Sequence, residues 1–406
     1  MRTPLLLVLC LTCLTTSGTG QELSSVAARR AREGENLREQ AIRSRDGVFT
    51  ARLLGQIDRT DVAGASGVYS FEFGIGSELK ATCELLVNGF DLAGGLRIAA
   101  DQTIQGLQSL YGRVQVRRVD RIETGAFGVR PYIALHWAFA MGDGTITRVG
   151  GLKQIAVTLG EGSLYCAHLD LGYTRTFMAA VRTLAESIEF TRAAAAPYFV
   201  EVSTARLDGE DIGVALLTMT RLADRSTRLT LSTSMVRRQD DTVEATDAQR
   251  VQIALPDGTL LSAGHLLRMD GRLETSVTLT PAGPSRWTVG GQVAGKQIDP
   301  PVLLTRRPSS LLEKAREWRA LLDRRDLAGV QVRTPDWLAS QPTQVVDTEL
   351  TVGSRIDENR AAGRETAGGD SEEIEIERAT GLPVRRVIES RGRRIEWERR
   401  LAQGAF

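Results

Sequence analysis

The sequence predicts two domains: an α+β N-terminal domain, formed by an antiparallel sheet with two helices, and then a mostly-β, half-barrel-like antiparallel domain with a covering helix. The length of 406 residues indicates more than one domain, because a single core stops growing at roughly 250–300 residues. Strand-like runs mix with two helical patterns in the first half, whereas apolar residues of the second half recur with period two. The composition, 42% hydrophobic and 25% charged, argues against a disordered or multi-span membrane protein.

Residues 1–20 have the pattern of a secretory signal peptide. Arg2 supplies the positive charge, an apolar run follows, and small residues precede a cleavage site near Gly20. Neither Cys10 nor Cys13 has both the Leu and the small residue that a lipoprotein signal requires before its cysteine. The apolar run is too short to span a bilayer, and no later segment predicts a transmembrane helix. We expect a protein of the periplasm or a secreted one; the alternative is a short hydrophobic helix retained in the mature chain.

The mature chain begins with a polar leader over residues 21–46, which we expect to be helical or disordered because it has few large apolar side chains. The α+β domain covers residues 47–192. Its first helix follows Asp91 and its second follows Thr174, and strand-like runs lie before, between and after them. Amphipathic helices and half-apolar strands bury their apolar faces most simply by packing on each other.

Residues 193–197 form the predicted linker, and residues 198–406 form the antiparallel β domain. Alternating apolar and polar residues in this part predict half-buried antiparallel strands. Such a meander should curl, because sheets twist and one face must be covered. A capping box at Ser310 opens a helix over 310–323, which we expect to cover the sheet. The polar residues 357–372 are interpreted as an exposed loop.

Cys83 and Cys166 are the only cysteines outside the signal peptide. In an exported chain, two such cysteines predict one disulfide bond. Two alternatives remain open: a pair of free structural thiols, and a metal or catalytic site formed by Cys166, His168 and Asp170 on one strand face. Neighbouring members of that set would lie about 6–7 Å apart along a strand, which is too far for the hydrogen bond that activates a nucleophile.

Catalytic signatures are absent from the sequence: it has no nucleophile elbow, no zinc-protease motif and no phosphate-binding loop. There are only three histidines, so a histidine-based triad or a multi-histidine metal site has little material. We therefore assign no catalytic residue, no cofactor and no metal, with His168 and Asp170 as the only metal candidates.

Two charged segments lie near the C-terminus. The acidic run at 370–377 alternates with isoleucines, so a strand with charge on its solvent face explains it better than a cation site does. The Arg-rich segment 385–400 also contains Glu residues that can pair with the arginines across a hairpin; the alternative is an anionic surface partner. Only one aromatic residue, Trp397, is interleaved there and the net charge is +1, so we expect no nucleic-acid binding.

Two stretches of the second half, Tyr198–Gly213 and Gly381–Arg399, carry a resemblance to known proteins. They contain the sequences YFVEV, LDGEDIG, GLPVR and IEWER. They resemble β-rich periplasmic domains of bacteria, of uncharacterised function, that also occur ahead of transglutaminase-like domains. The resemblance implies a half-barrel that cradles lipid or packs on a neighbour. It implies no activity, because no transglutaminase Cys-His-Asp set follows.

Together these patterns predict an exported, non-enzymatic envelope protein that binds an apolar ligand or lipid, or a partner protein of the envelope. Half-barrels enclose apolar cavities, whereas this sequence has few residues in catalytic patterns. The alternatives are a purely structural or interaction module of an envelope complex, and a metal-dependent hydrolase.

Overall fold

The computed structural model describes residues 26–62, 67–87, 89, 91–112, 114–142, 147–191, 195–283, 285–324, 326–338, 340–390 and 392–405. The predicted signal peptide and residues 193 and 194 of the predicted linker lie outside these residues. The chain forms two compact units. Unit 1 comprises residues 1–123, 132–194 and 236–245, and unit 2 comprises residues 124–131, 195–235 and 246–406.

The first ten strands and three helices belong mostly to unit 1. In chain order they are α1 (Val26–Arg30), β1 (Glu39–Arg43), β2 (Phe49–Leu54), β3 (Gln56–Val62), β4 (Val68–Gly74), β5 (Ala81–Val87), α2 (Leu92–Tyr111), β6 (Val114–Phe127), β7 (Arg130–Gly142), β8 (Thr147–Thr158), β9 (Gly162–His168), α3 (Thr174–Ser187) and β10 (Glu189–Phe190). They form a seven-stranded sheet in the order β3-β4-β5-β9-β8-β7-β6 and a three-stranded sheet in the order β1-β2-β10.

The two long helices of unit 1 lie on opposite faces of the seven-stranded sheet, and α3 packs mainly on β2 of the three-stranded sheet. Helix α2 approaches the face that carries Tyr165, since a Cβ on Gly95 would come within 2.3 Å of the Tyr165 ring. Phe177 of α3 stacks on His168 with ring centroids 6.0 Å apart. Because side chains of a strand alternate between its faces, Tyr165 and His168 of β9 point to opposite sides. The predicted apolar face of α3 is buried, and so is that of α2 except at Leu110, which is 55% exposed.

The predicted disulfide between Cys83 and Cys166 is confirmed. The two residues are directly opposite each other on β5 and β9, with Cα atoms 4.0 Å apart, and both side chains are buried. The bond joins adjacent central strands of the sheet across 83 positions of sequence. It excludes both the free-thiol and the thiolate-catalyst alternatives.

Part of the predicted polar leader is wrong, because residues 39–43 form a strand. β1 pairs with β2 along its whole length, and Ile42 supplies the one large buried apolar side chain. A short edge strand with charges on its outer face needs only one such contact, so its composition resembled that of a leader.

Unit 2 is built mainly from the remaining fifteen strands and one helix. They are β11 (Phe199–Leu207), β12 (Glu210–Arg221), β13 (Thr227–Gln239), β14 (Thr242–Ala254), β15 (Leu260–Met269), β16 (Arg272–Gly283), β17 (Arg286–Val293), β18 (Lys296–Gln297), β19 (Val302–Leu304), α4 (Leu311–Leu322), β20 (Gln331–Asp336), β21 (Val346–Arg355), β22 (Arg360–Ala367), β23 (Asp370–Glu377), β24 (Pro383–Ser390) and β25 (Arg393–Gly404). They form one sheet in the order β18-β17-β16-β15-β14-β13-β12-β11-β25-β24-β23-β22-β21-β20, with β19 beside β17. Every strand pair with a described register is antiparallel, which confirms the mostly-β, antiparallel prediction for this half.

The sheet of unit 2 curves around α4 without closing into a barrel. One end of the helix packs on β11–β14 through Leu312 and Ala315, and the other end packs on β21–β23 through Trp318, Leu321 and Leu322. These strands are far apart in the sheet order, so the sheet must bend to bring both groups onto a single helix. Ser310 caps the helix by accepting the Glu313 N–H at 3.0 Å, as the capping box predicted.

The predicted exposed loop over 357–372 is wrong. Most of this segment forms β22 and the start of β23, joined by a two-residue turn at Gly368-Gly369 with positive φ at both positions. The polar residues are accounted for by ion pairs such as Arg360–Glu375, on neighbouring strands, and by Glu365, which is buried. A strand whose inner face carries a charge lacks the alternation by which strands are recognised in a sequence.

Candidate ligand cavity of unit 2

The concave side of the unit 2 sheet forms a cavity of about 680 Å³. Its wall is formed by strands β11–β14 and β20–β25 and by the first turn of α4. The volume lies within the range of about 300–1,000 Å³ that is usual for small-molecule sites. All the lining residues belong to unit 2.

One part of the cavity wall is apolar. Leu217 of β12, Leu229 and Leu231 of β13, Leu311 of α4 and Leu382 line it. In this part the wall is continuous with the core cluster that holds the start of α4 on the sheet. The alternation of β12 and β13 produces this surface, since Leu217 is directly opposite Leu231 on the same face.

The rest of the wall carries a dense set of charged side chains. Five basic residues (Arg250, Lys314, Arg385, Arg386 and Arg399) and five acidic residues (Glu201, Asp336, Glu365, Asp370 and Glu372) line the cavity. Most are partly or fully buried. A charge removed from water must be paired, so the geometry of the pairs determines which groups remain available to a ligand.

Lys314 lies at the centre of the first group of pairs. Its ammonium contacts Glu365 and lies 3.5 Å from Asp336, and the other oxygen of Asp336 accepts from Arg250 at 2.8 Å. Burial acts to raise the pKa values of Glu365 and Asp336, but the neighbouring cations outweigh it and hold both pKa values below their usual range. Both carboxylates therefore stay ionised.

Glu372 has the opposite electrostatic character, although it is directly opposite Glu365 on the next strand. Burial raises its pKa, and the nearby Glu365 carboxylate adds to this effect against the attraction of Arg386. Arg386 holds Glu372 at 2.9 Å. Burial and the facing Glu365 carboxylate thus both oppose the ionisation of Glu372.

Arg399 forms a third set of ion pairs in the wall. It lies 2.7 Å from Glu201 and 2.8 Å from Glu377, and its side chain is only 9% exposed. Burial raises the pKa of Glu201 despite this partner. Arg399 is therefore buried in the wall, whereas Arg385 pairs with Glu375 and Glu396 on the neighbouring strands, as the cross-strand pairing predicted.

Some buried donors of the wall have no acceptor among the described residues. The Gln252 side chain accepts the Leu311 N–H at 2.8 Å through Oε1, but its Nε2 group has no partner there. Arg250 donates to Asp336 through a terminal nitrogen, whereas its Nε is unpartnered. A buried donor without an acceptor costs about 1–3 kcal/mol, so these atoms favour a ligand that brings acceptors.

The metal candidates His168 and Asp170 lie in unit 1, and each has a local structural contact. The ring Nε2 of His168 lies 3.2 Å from the carbonyl oxygen of Leu79, and burial, together with Lys153, lowers the pKa of His168 to about 4. Asp170 lies beyond the end of β9 and accepts the Gly172 N–H at 2.8 Å. Within the described ranges, no three His, Cys, Asp or Glu residues come together as a possible metal site.

Sequence reasoning did not place Asp336, Glu365 or Arg399 in a cavity. Asp336 and Glu365 belong to no motif, and Arg399 was noted only as part of the Arg-rich segment 385–400. The available signal was the position of charged residues among strand residues that should face inward. Glu365 was missed because its strand was assigned to a loop, and Arg399 because its neighbours are also charged.

In the part of the chain that the structure describes, no helix has both the length and the apolar character needed to cross a membrane.

Comparisons with known proteins identify no family for this chain. No family model matches it, and no curated protein matches its sequence. Among solved structures, it is similar to a β-barrel-like protein of the domain of unknown function DUF1849 from Brucella abortus, with a TM-score of 0.38 and 11% identity over 52% of this chain and 99% of that chain. It is also similar to a DUF1089 family protein from Pseudomonas aeruginosa, with a TM-score of 0.25 and 12% identity over 48% of this chain and 94% of that chain.

In unit 1, the buried side chain of Glu84 gives the stability a pH dependence that can be tested. Glu84 on β5 is 9% exposed and has an oxygen without a partner in the described residues. Burial raises the pKa of Glu84 to about 7. Because the folded pKa exceeds the unfolded one, the ionised side chain costs stability, and this cost grows as the pH rises from about 4.5 to 7.

We therefore expect Glu84→Gln to raise the free energy of unfolding by about 1–3 kcal/mol at pH 8 and to have little effect at pH 4. Urea unfolding at the two pH values measures this. Glu72→Gln on the neighbouring strand β4 is the matched control. An equal effect of Glu84→Gln at both pH values would contradict the assignment.

Proposed function

We propose that unit 2 is a non-enzymatic binding module whose cavity takes an amphiphile, and that the protein works in the bacterial envelope after export. The observation that carries the proposal is one cavity with an apolar wall on one side and buried charged groups on the other. The chain of an amphiphile would lie against Leu217, Leu229 and Leu231, and its head would meet the charged side chains. Each buried CH₂ group of the ligand adds about 0.8 kcal/mol.

Export is supported by the signal-like pattern of residues 1–20 and by the disulfide bond. Disulfides persist in oxidising compartments and are rare in the cytosol. The envelope also contains the amphiphiles that such a carrier would bind.

The test is calorimetric titration of the full mature chain with dodecyl maltoside, dodecyl phosphate and dodecyltrimethylammonium. We expect at least one of these single-chain probes to bind with one-to-one stoichiometry. Ala215 lines the cavity, so Ala215→Trp should fill part of it and weaken binding at least tenfold. Leu273→Trp, on an exposed position of β16, is the matched control and should leave the affinity unchanged.

The proposal is overturned if no dodecyl probe binds, or if Ala215→Trp binds as tightly as the wild type. Circular dichroism of both tryptophan variants separates loss of binding from loss of fold. A protein that binds none of the probes but co-purifies with a defined envelope protein would favour the interaction-module alternative.

A further inference from the structure

The charged part of the cavity wall has unpartnered hydrogen-bond donors where it meets the start of α4. Gln252 and Arg250 lie two residues apart on β14 and therefore point to the same face, about 6–7 Å apart. Both line the cavity, as do Ser309, Ser310 and Leu311 at the beginning of α4. The positive end of a helix dipole thus lies beside two side chains with buried N–H groups.

The hydrogen bonds leave unpartnered donors in this corner. Gln252 is 3% exposed, and its carbonyl oxygen is fixed by the Leu311 N–H, so its amide nitrogen is the group left to bind. The Nε of Arg250 is in the same state. Neither Ser310, which accepts from Glu313 and donates to the Gly258 carbonyl, nor Asp336 offers these donors a described acceptor.

The nearby acidic side chains do not supply acceptors for these donors. Asp336 already accepts from Arg250 and from the Trp337 N–H and lies near Lys314, while Glu365 is paired with Lys314. Glu372, farther along the wall, is favoured in its protonated form by burial and by the facing Glu365. The unpartnered donors of Gln252 and Arg250 therefore lie where the nearby carboxylates are already paired with basic side chains.

We propose that Gln252 and Arg250, at the start of α4, form an anion site that receives the head group of the amphiphile through its phosphate or carboxylate oxygens. This inference rests on the proposed function, because it assigns the chemistry of one end of the same ligand. The apolar wall at Leu229, Leu231 and Leu311 continues from this corner and would take the chain. The bound oxygens supply the acceptors that the Gln252 amide and the Arg250 Nε lack.

The decisive variant is Gln252→Glu. It keeps an oxygen to accept the Leu311 N–H but replaces the free donor with a carboxylate oxygen, so it should repel an anion while preserving the shape of the cavity. Gln249→Glu is the matched control: it makes the same change on the same strand but on the opposite face, where Gln249 contacts Ser232.

We expect wild-type protein to bind dodecyl phosphate at least tenfold more tightly than dodecyl maltoside or dodecyltrimethylammonium in calorimetric titrations. Gln252→Glu should weaken dodecyl phosphate binding at least tenfold and change dodecyl maltoside binding less than twofold. Gln249→Glu should change neither. Arg250→Lys, which keeps the charge but removes the Nε donor, should weaken only the phosphate probe.

Equal affinity of the three wild-type titrations, or an equal effect of Gln252→Glu on phosphate and maltoside probes, would overturn the anion site and leave the amphiphile cavity standing. Failure of all three probes would overturn the proposed function as well. Titration with inorganic phosphate identifies the source of the anion. If phosphate alone binds as tightly as dodecyl phosphate and is sensitive to Gln252→Glu, the anion site is supported and the ligand is a free anion rather than an amphiphile.

Discussion

Replacing both disulfide cysteines, Cys83→Ser with Cys166→Ser, is expected to lower the free energy of unfolding of unit 1 by about 4–5 kcal/mol. The bond closes a loop across 83 positions of sequence, and cross-linking a loop of that length removes this much conformational entropy from the unfolded chain. The two residues face each other on adjacent strands, so the serines fit the same positions without a new charge. The expected loss is a large part of the stability of an ordinary domain.

Hydrogen exchange of β5 and β9, measured by mass spectrometry during urea unfolding, localises this effect to unit 1. Wild-type protein treated with a reductant should lose the same protection as the double serine variant. Asp46 accepts from Tyr69 at 2.8 Å in the same unit, and Tyr69→Phe serves as a control for losing a single contact, with an expected cost of about 1 kcal/mol. A loss below 1 kcal/mol in the double serine variant would contradict the chain-entropy argument.

The elements that could be predicted from the sequence are those whose residues alternate cleanly or carry local end signals. Ser310 and Glu313 identify the start of α4 because a capping box is a local feature. The disulfide could be predicted because the sequence outside the predicted signal peptide contains only two cysteines. β13 and β16 were recognised because their inner faces are apolar.

The cavity could not be predicted because its charges stand where apolar residues are expected. Glu365 is buried only because Lys314, 51 positions away in sequence, reaches it from α4. Nothing within β22 signals that partner, so a buried carboxylate made the strand look like a loop. The same long-range pairing hides Arg399, whose partner Glu201 lies on the first strand of unit 2.

Removing the ammonium at the centre of this network, with Lys314→Met, is expected to lower the free energy of unfolding of unit 2 by about 3–5 kcal/mol at pH 7. The methionine fills similar space, but Glu365 and Asp336 lose their shared cation, and breaking one side of a buried ion pair leaves an uncompensated charge. Four of the five tryptophans lie in unit 2, so urea unfolding followed by tryptophan fluorescence reports the change. Lys296→Met, at an exposed position of β18, is the matched control and should change stability by less than 0.5 kcal/mol.

The pH dependence of the Lys314→Met effect distinguishes a lost charge pair from lost packing. In the wild type, the lowered pKa of Glu365 contributes stability above the unfolded pKa of about 4.3, and this contribution is lost as the pH falls through the folded value. In the variant, burial and Glu372 act on Glu365 without the lysine, so its pKa should rise and acid should stabilise the variant relative to the wild type. The difference between the two proteins should therefore shrink between pH 7 and pH 4.5, and Glu365→Gln added to Lys314→Met should recover part of it at pH 7. A difference that is the same at both pH values would mean that the lysine acts through packing on Trp318, 4.9 Å from its ammonium, and not through the carboxylates.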